Sequence, residues 1–340
     1  MPAPPADSLA PDVLAGRRRA VARAITAVEN GAGDGAGGAA ALVDALYPHT
    51  GRAWRLGVTG PPGAGKSTLV DRLVGAFRDR GQTVAVVAVD PSSPFTGGAL
   101  LGDRVRMDRH SDDDGVFVRS LAARGALGGL SEAAEAACDV LDAAGYDVVV
   151  VETVGVGQGE IDVAETTDTT LVVLVPESGD AVQAMKAGLM EVADVFCVNK
   201  ADKPEAGRLV RALRQALHLR TSAAPPVVTA SALNDEGVDA VVESLDAHRA
   251  GLDAERVREA RLRRRVRRLV EAAWRRRFWS GGRGEALARA VAALDPADRA
   301  PHRLAERLLA ATPGGAGERG TDNQDPADRG PTEGRPGGAA

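Results

Sequence analysis

The amino-acid sequence predicts an α/β protein with a doubly wound, mostly parallel sheet. Short apolar runs, typical of strands buried on both faces, alternate with helical segments through the middle of the chain. A Gly-rich turn joins the first strand to the first helix of this series. We predict strands at 56–59, 83–89, 147–151, 169–175, 194–198 and 226–229, and helices at 67–80 and 131–144.

Four regions are predicted along the 340 residues. A tail and helical arm cover 1–51, with a Gly-rich break at 31–38, and the α/β domain covers 52–250. A C-terminal helical extension at 251–312 precedes a tail at 313–340. The first dozen residues are rich in Pro and Ala, and the last tail is rich in Gly and Pro, so we predict that both are disordered.

The composition excludes several classes of protein. A net charge of −5 argues against a general nucleic-acid-binding protein. Cys138 and Cys197 each lie in an apolar run, which argues against a disulfide framework or a zinc site and fits a reducing compartment. The chain has no signal-peptide pattern and no apolar run long enough to span a bilayer. We therefore expect a cytoplasmic protein that binds neither nucleic acid nor membranes.

A phosphate-binding loop is predicted between the first strand and the first helix of the sheet. The pattern G-x-x-x-x-G-K-[S/T] is matched by Gly60, Pro61, Pro62, Gly63, Ala64, Gly65, Lys66 and Ser67, with Thr68 next. The glycines let backbone N–H groups face phosphate oxygens, and the dipole of the helix favours negative charge there. We expect Lys66 to reach the β- and γ-phosphates and the Ser67 hydroxyl to bind Mg²⁺.

A second motif indicates that the base is guanine. Asn199, Lys200 and Asp202 match N-K-x-D directly after the strand at 194–198. The Asp202 carboxylate can accept hydrogen bonds from N1–H and the 2-amino group of guanine, which adenine does not offer in that pattern. Asn199 can bind N7 and steady the loop, and the Lys200 stem can cover the base.

A third loop follows the strand at 226–229 and is expected to complete the guanine site. Its residues are Ser231, Ala232 and Leu233. We expect the Ala232 N–H to face guanine O6. The Ser231 side chain either contacts the nucleotide or caps a turn.

Carboxylates at the ends of two more strands are candidates for the metal and the attacking water. Asp90 follows the strand at 83–89 and Glu152 follows the strand at 147–151, at the edge where ligands bind in such sheets. The alternative for both is a cap on the next turn. We expect the Gly155 N–H to sense the γ-phosphate. Asp103, in the loop after Asp90, either joins the metal shell or is an exposed loop charge.

The residue that positions water for hydrolysis is not evident from the motifs. Val156 follows Gly155 at a place where many nucleotide hydrolases carry Gln. An apolar side chain cannot orient water, so Gln158, another acid or a partner must do so. We therefore predict slow hydrolysis by the isolated protein and acceleration by a partner.

Together these motifs closely resemble one family, the MeaB/ArgK-type GTPases, which are chaperones associated with methylmalonyl-CoA mutase. The resemblance rests on the phosphate loop, the Asp-Pro-Ser-Ser to Gly-Asp103 segment, the run from Glu152 to Gln158 and Asn199-Lys-Ala-Asp202. It extends over about residues 14–311. One departure is Phe95, where family members more often carry a basic residue.

The resemblance implies a function that the motifs alone do not give. It implies binding of GTP and Mg²⁺, a homodimer formed through C-terminal helices, and attachment to an adenosylcobalamin-dependent acyl-CoA mutase. The protein would regulate cofactor loading and protect that mutase, with methylmalonyl-CoA mutase as the default partner. The candidate catalytic residues are Lys66, Asp90, Glu152 and Gln158. The candidate metal ligands are Ser67, Asp90, Asp103 and Glu152.

The C-terminal extension begins with a helix at 253–279 that is rich in arginine. Val257, Leu262, Val266, Leu269 and Val270 recur at helical spacing along it. A dimer seam, a nucleic-acid patch and a membrane-surface helix are three possible uses. The apolar stripe and the acidic net charge favour the dimer seam, and we expect the charge-rich face to be the solvated side of a packed helix.

Two other functions compete with this interpretation. A metallochaperone GTPase that delivers nickel would need His-rich or Cys-rich stretches, and the five His are scattered along the chain. A P-loop kinase acting on a transport protein would need an acceptor site, which the sequence does not reveal. The N-K-x-D motif favours hydrolysis over phosphotransfer.

Overall fold

The computed structural model describes most of the chain. The described residues are 6–31, 38–91, 109–110, 112–123, 129–153, 159–176, 188–218, 224–280, 282–294 and 300–310.

A seven-stranded parallel sheet forms the centre of this part of the molecule. Its spatial order is β3-β2-β4-β1-β5-β6-β7. The strands are β1 Trp54–Thr59, β2 Val84–Pro91, β3 Val116–Ala123, β4 Val148–Thr153, β5 Thr169–Leu174, β6 Val195–Val198 and β7 Val227–Thr229. The predicted doubly wound parallel fold is therefore confirmed.

Sequence reasoning missed strand β3, at one edge of the sheet. It pairs along its whole length with β2, from Val84 opposite Val116 to Pro91 opposite Ala123. Its middle residues, Val118, Arg119 and Ser120, are only half-buried. An edge strand has one neighbour and mixes polar with apolar residues, so it lacks the continuous apolar run by which the other six were recognised.

Helices cover both faces of the sheet. The helices of the described residues, in chain order, are α1 Ala10–Leu14, α2 Arg18–Gly31, α3 Gly38–Leu46, α4 Lys66–Asp79, α5 Gly129–Ala143, α6 Gly159–Thr166, α7 Leu189–Val192, α8 Ala206–Leu217, α9 Val238–Ala250, α10 Ala254–Trp279, α11 Arg283–Ala293 and α12 Pro301–Ala310. In the described part of the chain, none of the helices is both long enough and apolar enough to cross a membrane.

Strand β4 shows how one sheet serves two cores. Val149 and Val151 pack in a cluster with α2, α3 and α5, whereas Val148 and Val150 pack in a cluster with α4 and α9. Alternate residues of a strand point to opposite faces, so a run of valines fills both cores. A third cluster joins β5 and β6 to α8.

The N-terminal arm packs on the α/β domain earlier in the chain than the sequence predicts. A 3₁₀ turn spans Ala6–Leu9, and α1 follows directly. Leu9 and Val13 are 6% and 0% exposed in the cluster with α5. The prediction that the first dozen residues are disordered is therefore wrong for residues 6–12. The segment is rich in Pro and Ala, but burial of its few larger apolar side chains stabilises the ordered form.

Some arginines of helix α10 face the α/β domain. Three of them pair with carboxylates there: Arg261 with Asp168, Arg265 with Asp139, and Arg268 with Glu135. Leu262, Val266, Leu269 and Val270 are exposed apolar residues of the same helix. The expectation that the charge-rich face is solvated is therefore wrong for these three arginines, whereas Arg263, Arg264 and Arg267 are exposed as expected. Buried carboxylates of the domain require cationic partners, and α10 supplies them.

The chain divides into two compact units. The first ends at Ala273 and the second begins at Trp274, so the boundary lies within α10. In the second unit α11, α12 and the last residues of α10 enclose an apolar cavity of about 540 Å³. The boundaries predicted at 51/52, 250/251 and 312/313 stay predictions.

Candidate functional site

The phosphate loop connects β1 to α4, and two of its glycines are fixed by their surroundings. Gly60 has a φ of 140°, and a Cβ added there would lie 2.1 Å from the Val173 carbonyl oxygen. Gly65 has a φ of 79°, and its Cβ would lie 2.5 Å from Asn199 Nδ2. Only glycine combines these backbone angles with such close neighbours.

Lys66 and Ser67 begin α4 and are both buried. Lys66 Nζ donates hydrogen bonds to the Gly60 and Pro61 carbonyl oxygens at 2.8 and 2.9 Å. The ammonium group is therefore held against the loop, at the positive end of the α4 dipole. Lysine charge, first-turn N–H groups and helix dipole together favour a polyanion at this place.

The rest of the loop differs in exposure along its length. Ala64 is buried, and Pro61 and Thr68 are half-buried. Pro62 and Gly63 are exposed at its outer side, and a Cβ added at Gly63 would meet nothing within 4 Å. Glycine is therefore favoured at position 63 by the backbone angle and not by lack of space, because its φ of 76° is one that other residues rarely adopt.

Glu152 lies beside the phosphate loop, as its strand position predicts. Ser67 Oγ donates a hydrogen bond of 2.6 Å to Glu152 Oε1, and both side chains are buried. Hydroxyl and carboxylate oxygens are the ligands that Mg²⁺ prefers, and Mg²⁺ takes its remaining ligands from phosphates and water. Within the described residues, no group of three or more His, Cys, Asp and Glu side chains could hold a metal ion. The residues present therefore fit a magnesium ion bound together with a nucleotide.

Other predicted metal and switch residues are only partly covered by the described structure. Asp90 is the next-to-last residue of β2, two positions after Ala88, which is paired with Glu152 of β4. Asp90 is thus at the same edge of the sheet as Glu152, and its side chain lies outside the described structure. Four further predicted residues lie entirely outside the described structure: Asp103, Gly155, Val156 and Gln158.

Asn199 joins the phosphate loop to the third predicted loop. Its Nδ2 donates to the Ala64 carbonyl oxygen at 2.8 Å, and its Oδ1 accepts from the Ala232 N–H at 3.1 Å. The side chain is 3% exposed. The predicted steadying role of Asn199 thus has a geometric basis, whereas the Ala232 N–H faces Asn199 in this arrangement. Contacts of either residue with guanine stay predictions.

Asp202 stands at the rim of the same edge. It is exposed, and its Oδ1 accepts a hydrogen bond of 2.6 Å from Ser231 Oγ. This hydrogen bond, more than any other cause, lowers the pKa of Asp202 below its ordinary value. Lys200 adopts a φ of 55°, which is costly outside glycine and is commonly found at functional sites. Leu233 is 81% exposed.

Sequence reasoning missed Arg72, whose side chain forms hydrogen bonds with the third loop. Arg72 lies on α4, and its Nε donates to the Ala232 carbonyl oxygen at 3.0 Å. Its Nη1 lies 3.4 Å from Asp235 Oδ2. The two ends of this contact are 160 positions apart, and no short motif includes Arg72, so the sequence offers no signal for it.

A known protein family matches the part of the chain that contains these site residues. The family model of the methylmalonyl-CoA mutase-associated GTPase MeaB matches residues 21–281. This chain belongs to the MeaB family. The resemblance inferred from the motifs is therefore confirmed.

Relatives and solved structures agree with membership in the MeaB family. GTPase ArgK of Escherichia coli is 40% identical over 246 residues, which cover 70% of this chain and 74% of that one. A protein of Pyrococcus abyssi is 49% identical over 271 residues, covering 78% and 81%. The crystal structure of an LAO/AO transport system kinase superposes with a TM-score of 0.67 at 29% identity, covering 91% and 98%.

One relative of this MeaB-family chain is much longer than it. The fused isobutyryl-CoA mutase of Cupriavidus metallidurans is 39% identical over 246 residues, which are 68% of this chain and 22% of that protein. A segment homologous to this chain thus occurs within a protein named as a mutase.

Proposed function

We propose that this protein binds GTP together with Mg²⁺ and hydrolyses it to GDP and phosphate. The observation that carries the proposal is the position of Asn199, whose amide bonds the phosphate loop at Ala64 and the third loop at Ala232. Elements suited to phosphate and to guanine therefore belong to one site. Membership in a family of GTPases supports the same conclusion.

Each part of this site has a role that its chemistry supports. Lys66 and the loop N–H groups bind the phosphates, and Asp202 accepts from N1–H and the 2-amino group of guanine. Ser67 and Glu152, with Asp90, are proposed to hold Mg²⁺. When bound, that ion supplies positive charge that offsets charge on the phosphate oxygens.

Three candidates can position the attacking water, namely Gln158, another acid and a partner protein. We keep Gln158, with Gly155 and Asp103, as predictions for the switch region. Val156 cannot orient water, so we expect slow hydrolysis by the isolated protein and faster hydrolysis with its partner.

Phosphate release from labelled GTP and ATP by the purified protein tests the activity. We expect free phosphate from GTP, little from ATP and no labelled protein. Label that remains on an added transport protein would instead favour a kinase. Equal rates with GTP and ATP would contradict the role given to Asp202.

For the biological role, we propose a chaperone of an adenosylcobalamin-dependent acyl-CoA mutase, with methylmalonyl-CoA mutase as the default partner. The association of the family with methylmalonyl-CoA mutase and the fused isobutyryl-CoA mutase relative support this partner class. Tagged protein isolated from its own cells should carry the mutase with it. The mutase should also raise the rate of GTP hydrolysis, and isolation without any mutase would contradict the proposal.

We further propose a homodimer formed through the C-terminal helices. The exposed apolar residues of α10 support it, since Leu262 and Val266 are 39% and 49% exposed. Sedimentation at micromolar concentration should give twice the mass of one chain. Leu262→Ser with Val266→Ser should give the monomer, while Glu243→Ser on the exposed side of α9 should not. A monomeric wild type would contradict this proposal.

A further inference from the structure

The amino-terminal edge of the sheet contains a small pocket that the nucleotide site does not use. The pocket has a volume of about 160 Å³ and lies where β1 and β5 begin and where α9 passes to α10. Trp54 is the first residue of β1, whereas the phosphate loop follows the last one. The length of β1 therefore separates the two sites by about 17 Å.

The walls of this pocket are strongly cationic. Four arginines and one aspartate line it, which gives a formal charge of +3: Arg52, Arg249, Arg258, Arg261 and Asp168. Ala254, the first residue of α10, also lines it, so the positive end of a 26-residue helix adds to this charge.

The single carboxylate that lines the pocket already has partners. Asp168 Oδ1 accepts from Arg261 Nη1 at 2.5 Å, and its Oδ2 accepts from the Arg55 backbone N–H at 2.9 Å. Among the described residues, no carboxylate lies within ion-pair distance of Arg52, Arg249 or Arg258. Within the described part of the chain, three guanidinium groups therefore line the pocket with no carboxylate at ion-pair distance.

The pocket is held in shape before any ligand arrives. Asp142 accepts hydrogen bonds from the N–H groups of Gly51, Arg52 and Ala53, at 2.7, 3.0 and 3.0 Å. The Arg249 guanidinium carbon lies 5.0 Å from the centre of the Trp54 ring. Arg258 lies directly over Gly51, where an added Cβ would be 2.5 Å from Nη1. Fixed donors lose little side-chain entropy when they bind a ligand.

We propose that this pocket binds a phosphate group, either as inorganic phosphate or as a small phosphate monoester. Guanidinium groups present pairs of N–H donors that match phosphate oxygens, and the volume suits a phosphate with a few further atoms. Such an anion would bridge the start of β1 to α9 and α10, and so fix the extension to the α/β domain.

Calorimetric titration of the full chain with sodium phosphate tests the proposal. Saturating GDP and Mg²⁺ occupy the nucleotide site, and sodium chloride at matched ionic strength is the blank. We expect one saturable site per chain. Arg258→Ala should weaken it at least tenfold, whereas Arg256→Ala, an exposed neighbour on the same helix, should not change it. Arg258→Lys should bind more weakly than wild type because it lacks the planar pair of donors.

Three outcomes would overturn the proposal. They are no saturable binding, equal heats with sodium chloride, and equal affinity in Arg258→Ala. Thermal unfolding of each variant shows whether it is folded. If Arg258→Ala does not fold, Arg52→Ala replaces it in the titration. Titration with glycerol 3-phosphate shows whether the ligand is inorganic phosphate or a phosphate monoester. Tighter binding than phosphate assigns the site to a monoester, and weaker binding assigns it to the free ion.

Discussion

The two edges of the parallel sheet use their polar residues in different ways. At the carboxyl edge, Lys66, Glu152 and Asp202 come from short motifs that each follow a strand. At the amino edge, Arg55 of β1 meets Asp139 of α5, 84 positions away, and the arginines of α10 reach the same region. A ligand site needs several groups close together in a loop, whereas a structural ion pair needs only two residues that the fold happens to bring together.

The edges also differ in how charge is balanced. Arg55 is 1% exposed and bonds Asp139 at 2.7 Å. Burial would raise the pKa of Asp139, but Arg55 and Arg265 hold it below its ordinary value. At the carboxyl edge, the cationic loop is suited to balance by a ligand. We therefore expect substitutions at the carboxyl edge to change activity, and substitutions in the paired cluster of Arg55 and Asp139 at the amino edge to change stability.

The largest effect should come from Lys66→Ala. Loss of this charge from the phosphate loop should lower kcat for GTP hydrolysis about 10³-fold, by analogy with other lost transition-state contacts. Phosphate release measures it, and Arg208→Ala, at an exposed position on α8, is the control. If Lys66→Ala does not fold, the two edges do not differ as we expect, because the carboxyl edge would then also be needed for stability.

Arg55→Ala tests the opposite edge. It leaves the buried carboxylates of Asp139 and Asp142 without one partner, so the free energy of unfolding should fall by about 3–5 kcal/mol. Urea unfolding measures it. Exposed Arg256→Ala should change stability by less than about 0.5 kcal/mol. A variant as stable as the wild type would show that this cluster does not hold the edge together.

Asp202→Asn should change the choice of base. An amide can donate to the carbonyl oxygen at C2 of xanthine, and it no longer matches the two donors of guanine. Affinity for GDP should fall about 10- to 100-fold while affinity for xanthosine diphosphate rises. Competition binding with both nucleotides measures it, and Asp235→Asn is the matched control. Unchanged preference would remove Asp202 from the base site.

The smallest effect should be the pH shift in Ser231→Ala. The Ser231 hydroxyl lowers the pKa of Asp202, so its removal should raise that pKa. Because guanine needs the ionised carboxylate, the loss of GDP affinity on acidification should begin at a higher pH in the variant. Fluorescence titration across pH 4–7 measures it, with circular dichroism to verify folding. A shift to lower pH would contradict the assignment.

Much of the carboxyl edge could be predicted because its signals are local. The phosphate loop needs glycines at Gly60 and Gly65, and a strand must precede it, so residue type and order suffice. The prediction of β3 failed because an edge strand with Arg119 and Ser120 in its middle has no continuous apolar run. Arg72 gave no signal, since its contact with Ala232 exists only after the chain has folded.

The sequence by itself determined six of the seven strands, the phosphate loop, the guanine motif and the family. Each depends on residue types within a few positions of one another, which backbone geometry links directly to structure. Only the tertiary structure decided which face of α10 is buried and that arginines converge beside Trp54. The buried face of α10 depends on Glu135 and Asp139, because carboxylates removed from water need cationic partners. The arginines beside Trp54 meet only because the fold brings together Arg52, Arg249 and Arg258 from distant parts of the chain.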